Sequence, residues 1–217
     1  DILPSIDQLS SELEIPRQVV KMAYDKLIEQ HLILHLNQDY VIHYLELPDM
    51  FHKRLMTMTE AIESMGLKPS IETYDIHVID DPVIIAKMQF DNCSRVLKIK
   101  RVYRGDDLPI FLVEGNFPLS IFPGMDKLDL SIMPFYQIFK DYYQLEITES
   151  YRIFTVVNTS QEISERLNIT KGMPVYYSMT TAKDHYDRHI EYGQIWALSS
   201  HRIPMTLEAS DIESYFR

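Results

Sequence analysis

Residues 84–114, IIAKMQFDNCSRVLKIKRVYRGDDLPIFLVE, run parallel to residues 162–192, EISERLNITKGMPVYYSMTTAKDHYDRHIEY. At a constant offset of 79, Met88 stands against Leu167, Phe90 against Ile169, Cys93 against Gly172 and Val96 against Val175. Each copy reads as a helix, a turn, a strand, a charged hairpin and a second strand. Hairpin-joined strands pair antiparallel, and strands mixed with helices in this way predict an α+β fold built on an antiparallel sheet. Between the copies, FYQIFKDYYQLEI (135–147) reads as a further helix leading into a strand.

Upstream of the repeat, TMTEAIESMG (57–66) carries a T-x-x-E capping box at Thr57 and Glu60, and Gly66 suits the position after a helix end. A helix is therefore expected from about 58 to 65. An alternative start near Asp49 is open, because Phe51, Leu55, Met58, Ile62 and Met65 alternate by four and three. The stretch YLELPDM (44–50) reads as a connector, which sets one domain at 48–217 and another at 1–44.

In the front domain, Ser5 can cap a helix over 5–15 with Gln8 as its box partner, and Ile6, Leu9 and Leu13 give it one apolar face. Pro16 breaks the chain and suits the start of a second helix over 17–31, with Val20, Ala23, Tyr24, Leu27 and Ile28 inward. Two helices joined by about three residues have helix-turn-helix geometry. Leu32–His43 then reads as two short strands around a turn at Asn37–Asp39, in the place of a wing.

The 217 residues are 46% hydrophobic, enough for a sizeable core, and no apolar run approaches the ~20 residues of a membrane helix. No secretory signal is visible. A single cysteine, Cys93, rules out an internal disulfide and fits a reducing compartment, here the cytoplasm. The net charge of −11 argues against nucleic acid held by bulk charge, so any DNA contact must be local.

The front stretch resembles the winged helix-turn-helix of GntR-type bacterial transcription regulators. The resemblance rests on Leu3, Pro4, Ser5, Leu9, Ile15, Pro16, Arg17, Val19, Val20, Lys21, Ala23, Leu27, Leu32 and Ile33. The remainder resembles the effector domain of the HutC branch, called UTRA, whose fold is similar to chorismate lyase. Here the motifs are TMTE, Gly66 and Pro69-Ser70, then RVYRGDDLP (101–109) and HIEY (189–192). The resemblance covers essentially the whole chain and implies that the first helix of the winged domain precedes residue 1.

What the resemblance implies is a homodimeric, cytoplasmic, ligand-responsive DNA-binding regulator, a repressor released by an anionic metabolite such as a sugar phosphate. It implies no cofactor, no metal, no catalytic residue and no membrane. The front of the second helix, Arg17, Gln18, Val19 and Lys21, would enter the major groove, with Ser5 on a phosphate. Thr57, Met58, Thr59, Arg101, Tyr103, Tyr136 and Glu191 would form the effector site, with Arg101 as the main anion partner. Other readings stay open: the polar helix residues are merely exposed, Thr57 and Glu60 only cap their helix, and Glu191 is a solvated strand residue.

Several positions depart from the family pattern. Pro16 and Val19 replace a Ser and a Thr, and the wing lacks its glycines. Residues 1–44 hold three bases against seven acids. Tyr103 replaces a second arginine, with Arg104 as a possible substitute, and Pro134 stands where a Ser is common. The alternatives are therefore a lyase-like enzyme and a regulator that has lost DNA binding and acts through protein contacts. The pairs His31/His35 and His185/His189 straddle a helix end and a hairpin, so neither predicts a metal site. With six glycines in all, no phosphate-binding glycine loop is present.

Overall fold

The structure, a computed structural model, describes residues 2–29, 32–36, 39–42, 56–90 and 92–198. Its N-terminal unit comprises β1 (Ile2–Leu3), α1 (Ile6–Leu13), α2 (Arg17–Glu29), β2 (Ile33–Leu36) and β3 (Asp39–Ile42). The Ser5 hydroxyl accepts the Gln8 N–H at 3.1 Å and starts α1. The reciprocal half of the box does not form, because the Gln8 amide donates along the exposed helix face to Glu12 at 3.0 Å. Glu14, at φ 52°, ends α1 earlier than the expected residue 15.

Ile6, Val20, Tyr24 and Ile33 make the small core of this unit. The Tyr24 hydroxyl donates to the Pro4 carbonyl at 2.8 Å and ties α2 to the chain before α1. Ala23 and Leu13, expected to face inward, are exposed. The hairpin expected at 32–43 is present with Leu36 opposite Asp39, and β1 adds a third strand along β3, too short for any pattern to announce. The connector at 44–50 and the alternative helix start near Asp49 lie outside the described residues.

The second unit runs α3 (Met58–Ser64), β4 (Pro69–Ile79), α4 (Pro82–Ala86), β5 (Val96–Gly105), β6 (Leu108–Pro118), α5 (Phe135–Tyr143), β7 (Ile147–Asn158), α6 (Gln161–Leu167), β8 (Pro174–Asp184) and β9 (His189–Leu198). The Thr57 capping box is complete on both sides, and it fixes the start of α3 at Met58. All six strands form one sheet in the order β4-β5-β6-β9-β8-β7, every neighbouring pair antiparallel.

The internal repeat is visible as two three-stranded halves, β4–β5–β6 and β7–β8–β9. They meet where β6 pairs with β9, Gly115 opposite Gly193. The structure extends the repeat backwards to β4 and β7, which the sequence comparison did not include. Two different turns close the hairpins. Asp106 and Asp107 both take left-handed backbone, which suits a two-residue turn between twisted strands. In the second copy the buried Asp184 carboxylate accepts the backbone N–H groups of Tyr186 and Arg188, each at 3.0 Å.

The main core lies on one face of the sheet. There Ala61 and Ile62 of α3 and Phe135, Ile138 and Phe139 of α5 pack on Leu97, Ile99, Phe111 and Phe117. On the other face α4 covers Val96 through Ile85, and α6 covers Val102, Leu112 and Val175 through Leu167. Alternation along β5 sends successive residues to the two cores.

Candidate functional site: a cavity between the sheet and two helix starts

The starts of α3 and α5 stand over the sheet face without closing on it. Between them lies a cavity lined by Met56, Thr57 and Met58 at α3 and by Pro134, Phe135 and Tyr136 at α5. Its floor is Tyr103, Val113, Arg152, Thr180, Glu191, Gly193 and Ile195 from five strands. Counted out to the part open to solvent, the empty space is about 490 Å³.

Of the residues expected in an effector site, Thr57, Met58, Tyr103, Tyr136 and Glu191 line this cavity, whereas Thr59 and Arg101 do not. Thr57 is occupied locally. Its hydroxyl accepts the Glu60 N–H at 3.1 Å and contacts the Thr59 hydroxyl at 3.0 Å.

Arg101 is fully buried and faces a different task. Nε donates to the Thr73 hydroxyl at 3.0 Å, one Nη to the Met133 carbonyl at 2.8 Å and the other to the Leu130 carbonyl. The guanidinium lies 4.1 Å over the Phe135 ring, and one Nη also donates to the hydroxyl of Tyr103, a lining residue, at 3.4 Å. The expected role as main anion partner is therefore corrected. The fork is spent on backbone carbonyls of the 130–133 segment, which it pins to the sheet ahead of α5. Arg104 does not take over; it pairs with Glu72 at 2.9 Å and is absent from the lining.

The cation that does reach the cavity is Arg152 of β7, which sequence reasoning missed. It hydrogen-bonds to the Tyr136 hydroxyl, and Tyr136 hydrogen-bonds to Glu191. Glu191 is buried, 7% exposed, so it is not a solvated strand residue. Burial pushes its carboxyl up to about 7, against the opposing pull of the Arg152 charge and the Tyr136 hydrogen bond. Burial likewise raises the Tyr103 and Tyr136 hydroxyls, so both remain neutral donors. Thr180 and Gly193, also missed, are direct neighbours across β8 and β9. Their only sequence signal is the TT and YG pairs inside strands that alternate apolar and polar.

On the N-terminal unit, Ser5, Arg17, Gln18, Val19 and Lys21 are all exposed. Arg17 pairs with Asp7 at 2.6 Å and Lys21 with Asp25 at 2.6 Å. Exposed pairs of this kind contribute about 0–1 kcal/mol, so a phosphate can displace the carboxylate at small cost. His35 stacks on Tyr40, His185 lies in the β8–β9 loop, and among the described residues no three metal-ligating side chains converge. Nor is any helix among them long and apolar enough to cross a membrane.

Comparison with known proteins gives these positions a context. Residues 64–201 match the family profile of the UTRA domain. Over 211 residues the chain is 25% identical to the uncharacterized HTH-type transcriptional regulator YurK of Bacillus subtilis, spanning 95% of this chain and 86% of that one. Over 178 residues it is 24% identical to the mannosyl-D-glycerate transport/metabolism system repressor MngR of Escherichia coli, 81% of this chain and 73% of that one. The fold is shared with crystalline PhnF from Mycobacterium smegmatis at a TM-score of 0.68 and 16% identity, covering 96% of this chain and 92% of that one.

Proposed function

The chain belongs to the UTRA domain family, and on that premise we propose that it is a GntR-type transcription regulator whose DNA affinity is set by a small molecule in the cavity under α3 and α5. The observation that carries this reading is the cavity itself. It joins an Arg152–Tyr136–Glu191 chain, buried at its Glu191 end, to the start of α3, the first described element after the stretch that follows the N-terminal unit. Residues 1–44 act as the DNA-reading head through Ser5, Arg17, Gln18, Val19 and Lys21, and residues 48–217 as the effector domain. The protein works as a homodimer in the cytoplasm. Its sense is repression, as in the name of its relative MngR. The effector is a small polar metabolite of the carbohydrate kind. The expected sugar phosphate was tied to Arg101, and without that arginine in the lining it loses its main support. The relatives that span most of the chain are transcription regulators, so the lyase alternative is set aside.

Coupling requires that the effector bind one of two arrangements more tightly than the other. Contacts to Met56 and Met58 would supply that difference next to the connector. The test is a mobility-shift titration of the protein extended by its own upstream residues, on DNA from its own genomic neighbourhood. Arg17→Ala should weaken binding by about 1–3 kcal/mol at fixed salt if the residue reads a base. Unchanged affinity would remove Arg17 from the interface.

A second reading is favoured by the acidic surface of the N-terminal unit, where both cations at the front of α2 are matched by carboxylates. On that reading the head has lost DNA binding and the protein acts through protein contacts. Absence of any shift at low salt would select it.

A further inference from the structure

Resting on the reading of the cavity as an effector site, we infer that its ligand is an uncharged, hydroxyl-rich molecule, a sugar or polyol without phosphate or carboxylate, held by Glu191 and Thr180 over the bare backbone of Gly193. Charge is the first ground. Among the described residues the lining holds one cation, Arg152, and one carboxylate, Glu191, linked through Tyr136. A phosphate dianion entering here meets a carboxylate beside the cation, and an ammonium meets the reverse. Arg101 is not among the lining residues; its guanidinium is answered by two backbone carbonyls and meets the lining only through the Tyr103 hydroxyl, at 3.4 Å.

Hydrogen-bonding capacity is the second ground. Glu191 Oε2 and Thr180 Oγ1 are both buried and have no protein partner. Their residues are 7% and 3% exposed, so the need is real rather than met at the surface. A carboxylate only accepts, whereas a threonine hydroxyl donates and accepts. Glu191, pushed up to about 7, is also present protonated and then donates, so a ligand that suits both groups must offer atoms able to take either role. Neighbouring hydroxyl groups do this.

The floor supplies the third. Gly193 lies directly opposite Thr180 in the strand register. A Cβ at residue 193 would stand 3.2 Å from Glu191 Oε1 and 3.7 Å from the Thr180 Cβ. Without it, a ligand atom can rest on the backbone between the two polar groups. The rings of Tyr103, Phe135 and Tyr136 complete the wall and suit the C–H face of a sugar ring.

The experiment is calorimetric titration of the full chain with D-glucose, D-mannitol and myo-inositol beside D-glucose 6-phosphate, D-mannitol 1-phosphate and D-gluconate. At least one neutral compound is expected to bind, with its charged counterpart weaker by about tenfold or more. Glu191→Gln and Thr180→Val should each weaken the neutral ligand roughly 10- to 100-fold, the size expected for a hydrogen bond to a buried or charged partner. Gly193→Ala should do the same by occupying the floor, and a far-UV melt confirms that each variant is folded. A charged compound that outbinds its neutral parent, or no binding by any neutral compound, overturns the ligand class. If such a charged ligand is still lost in Gly193→Ala, the effector cavity stands and only the class falls. Binding of any compound that ignores both Gly193→Ala and Glu191→Gln sinks the cavity reading as well.

Discussion

Gly115 and Gly193 face each other across the β6–β9 pair, one from each three-stranded half, and the space above them is used in opposite ways. A Cβ on Gly115 would lie 2.6 Å from the Phe117 ring and 2.9 Å from the Phe135 ring. The first half has closed its crevice with aromatic rings and with Arg101, whose guanidinium holds the 130–133 segment down. The second half keeps the facing place open and lines it with Thr180, Glu191 and the reach of Arg152. A duplicated topology thus yields one half that serves as support and one that serves as site. The polar groups of the two halves should respond to substitution accordingly.

The largest difference is expected at Arg101. Arg101→Ala removes a stacked side chain and leaves the carbonyls of Leu130 and Met133 without their donors, which should cost about 3–5 kcal/mol in urea denaturation. A variant that melts like the parent would show that the first half is not the support.

Glu191 should give the next effect, read as a pH dependence. Its carboxyl is pushed up to about 7 in the fold, above the usual value of 4.5. The folded chain therefore holds a proton that the unfolded chain has released. Stability is fully present below about pH 4.5 as far as this group is concerned and falls as pH rises through 7, by up to about 3 kcal/mol. Glu191→Gln should flatten that slope between pH 5 and 8. An identical profile in parent and variant would mean the group does not titrate in this window.

The glycines themselves come third. Gly115→Ala must push two rings aside and should cost about 1–3 kcal/mol, as overpacked cores do. Gly193→Ala meets only the tip of Glu191 and should cost less than about 1 kcal/mol. Equal losses would erase the distinction between the filled and the open crevice.

Smallest is Thr180→Val, which replaces a buried hydroxyl lacking a protein partner with a methyl group. It should raise ligand-free stability by about 0.5–1 kcal/mol, or leave it unchanged, while a threonine bound into the structural network would lose stability. Differential scanning calorimetry resolves the sign.

Much of the fold was legible because it depends on local signals. The offset of 79 announced two hairpins, and the Thr57–Glu60 box announced the start of α3. The site was legible only in part. Which polar residue of a strand faces inward depends on parity, and a single extra residue reverses it. Register shifts occur between Thr73 and Asp75, between Tyr103 and Arg104, and between Ala182 and Lys183, each beside a residue that matters here. Arg152 was missed for a related reason, since nothing local to β7 shows that it reaches across β8 to Tyr136. Arg101 was misread because its partners are backbone carbonyls of a segment about thirty residues away, and carbonyls carry no signature in side-chain identity.

The seam between the halves also has a bearing on how the molecule can be taken apart. Residues up to Pro118 supply three strands of the sheet and residues from Ile147 supply the other three, joined by the register of β6 on β9 and by α6 lying on β6. The exposed turn at Pro123–Gly124 lies before the segment that Arg101 clamps. Nicked there, the chain becomes two fragments, each carrying one face of a strand-to-strand joint. Co-expressed, they should reassemble by fragment complementation into the same six-stranded sheet, with Arg101 of one piece gripping Leu130 and Met133 of the other.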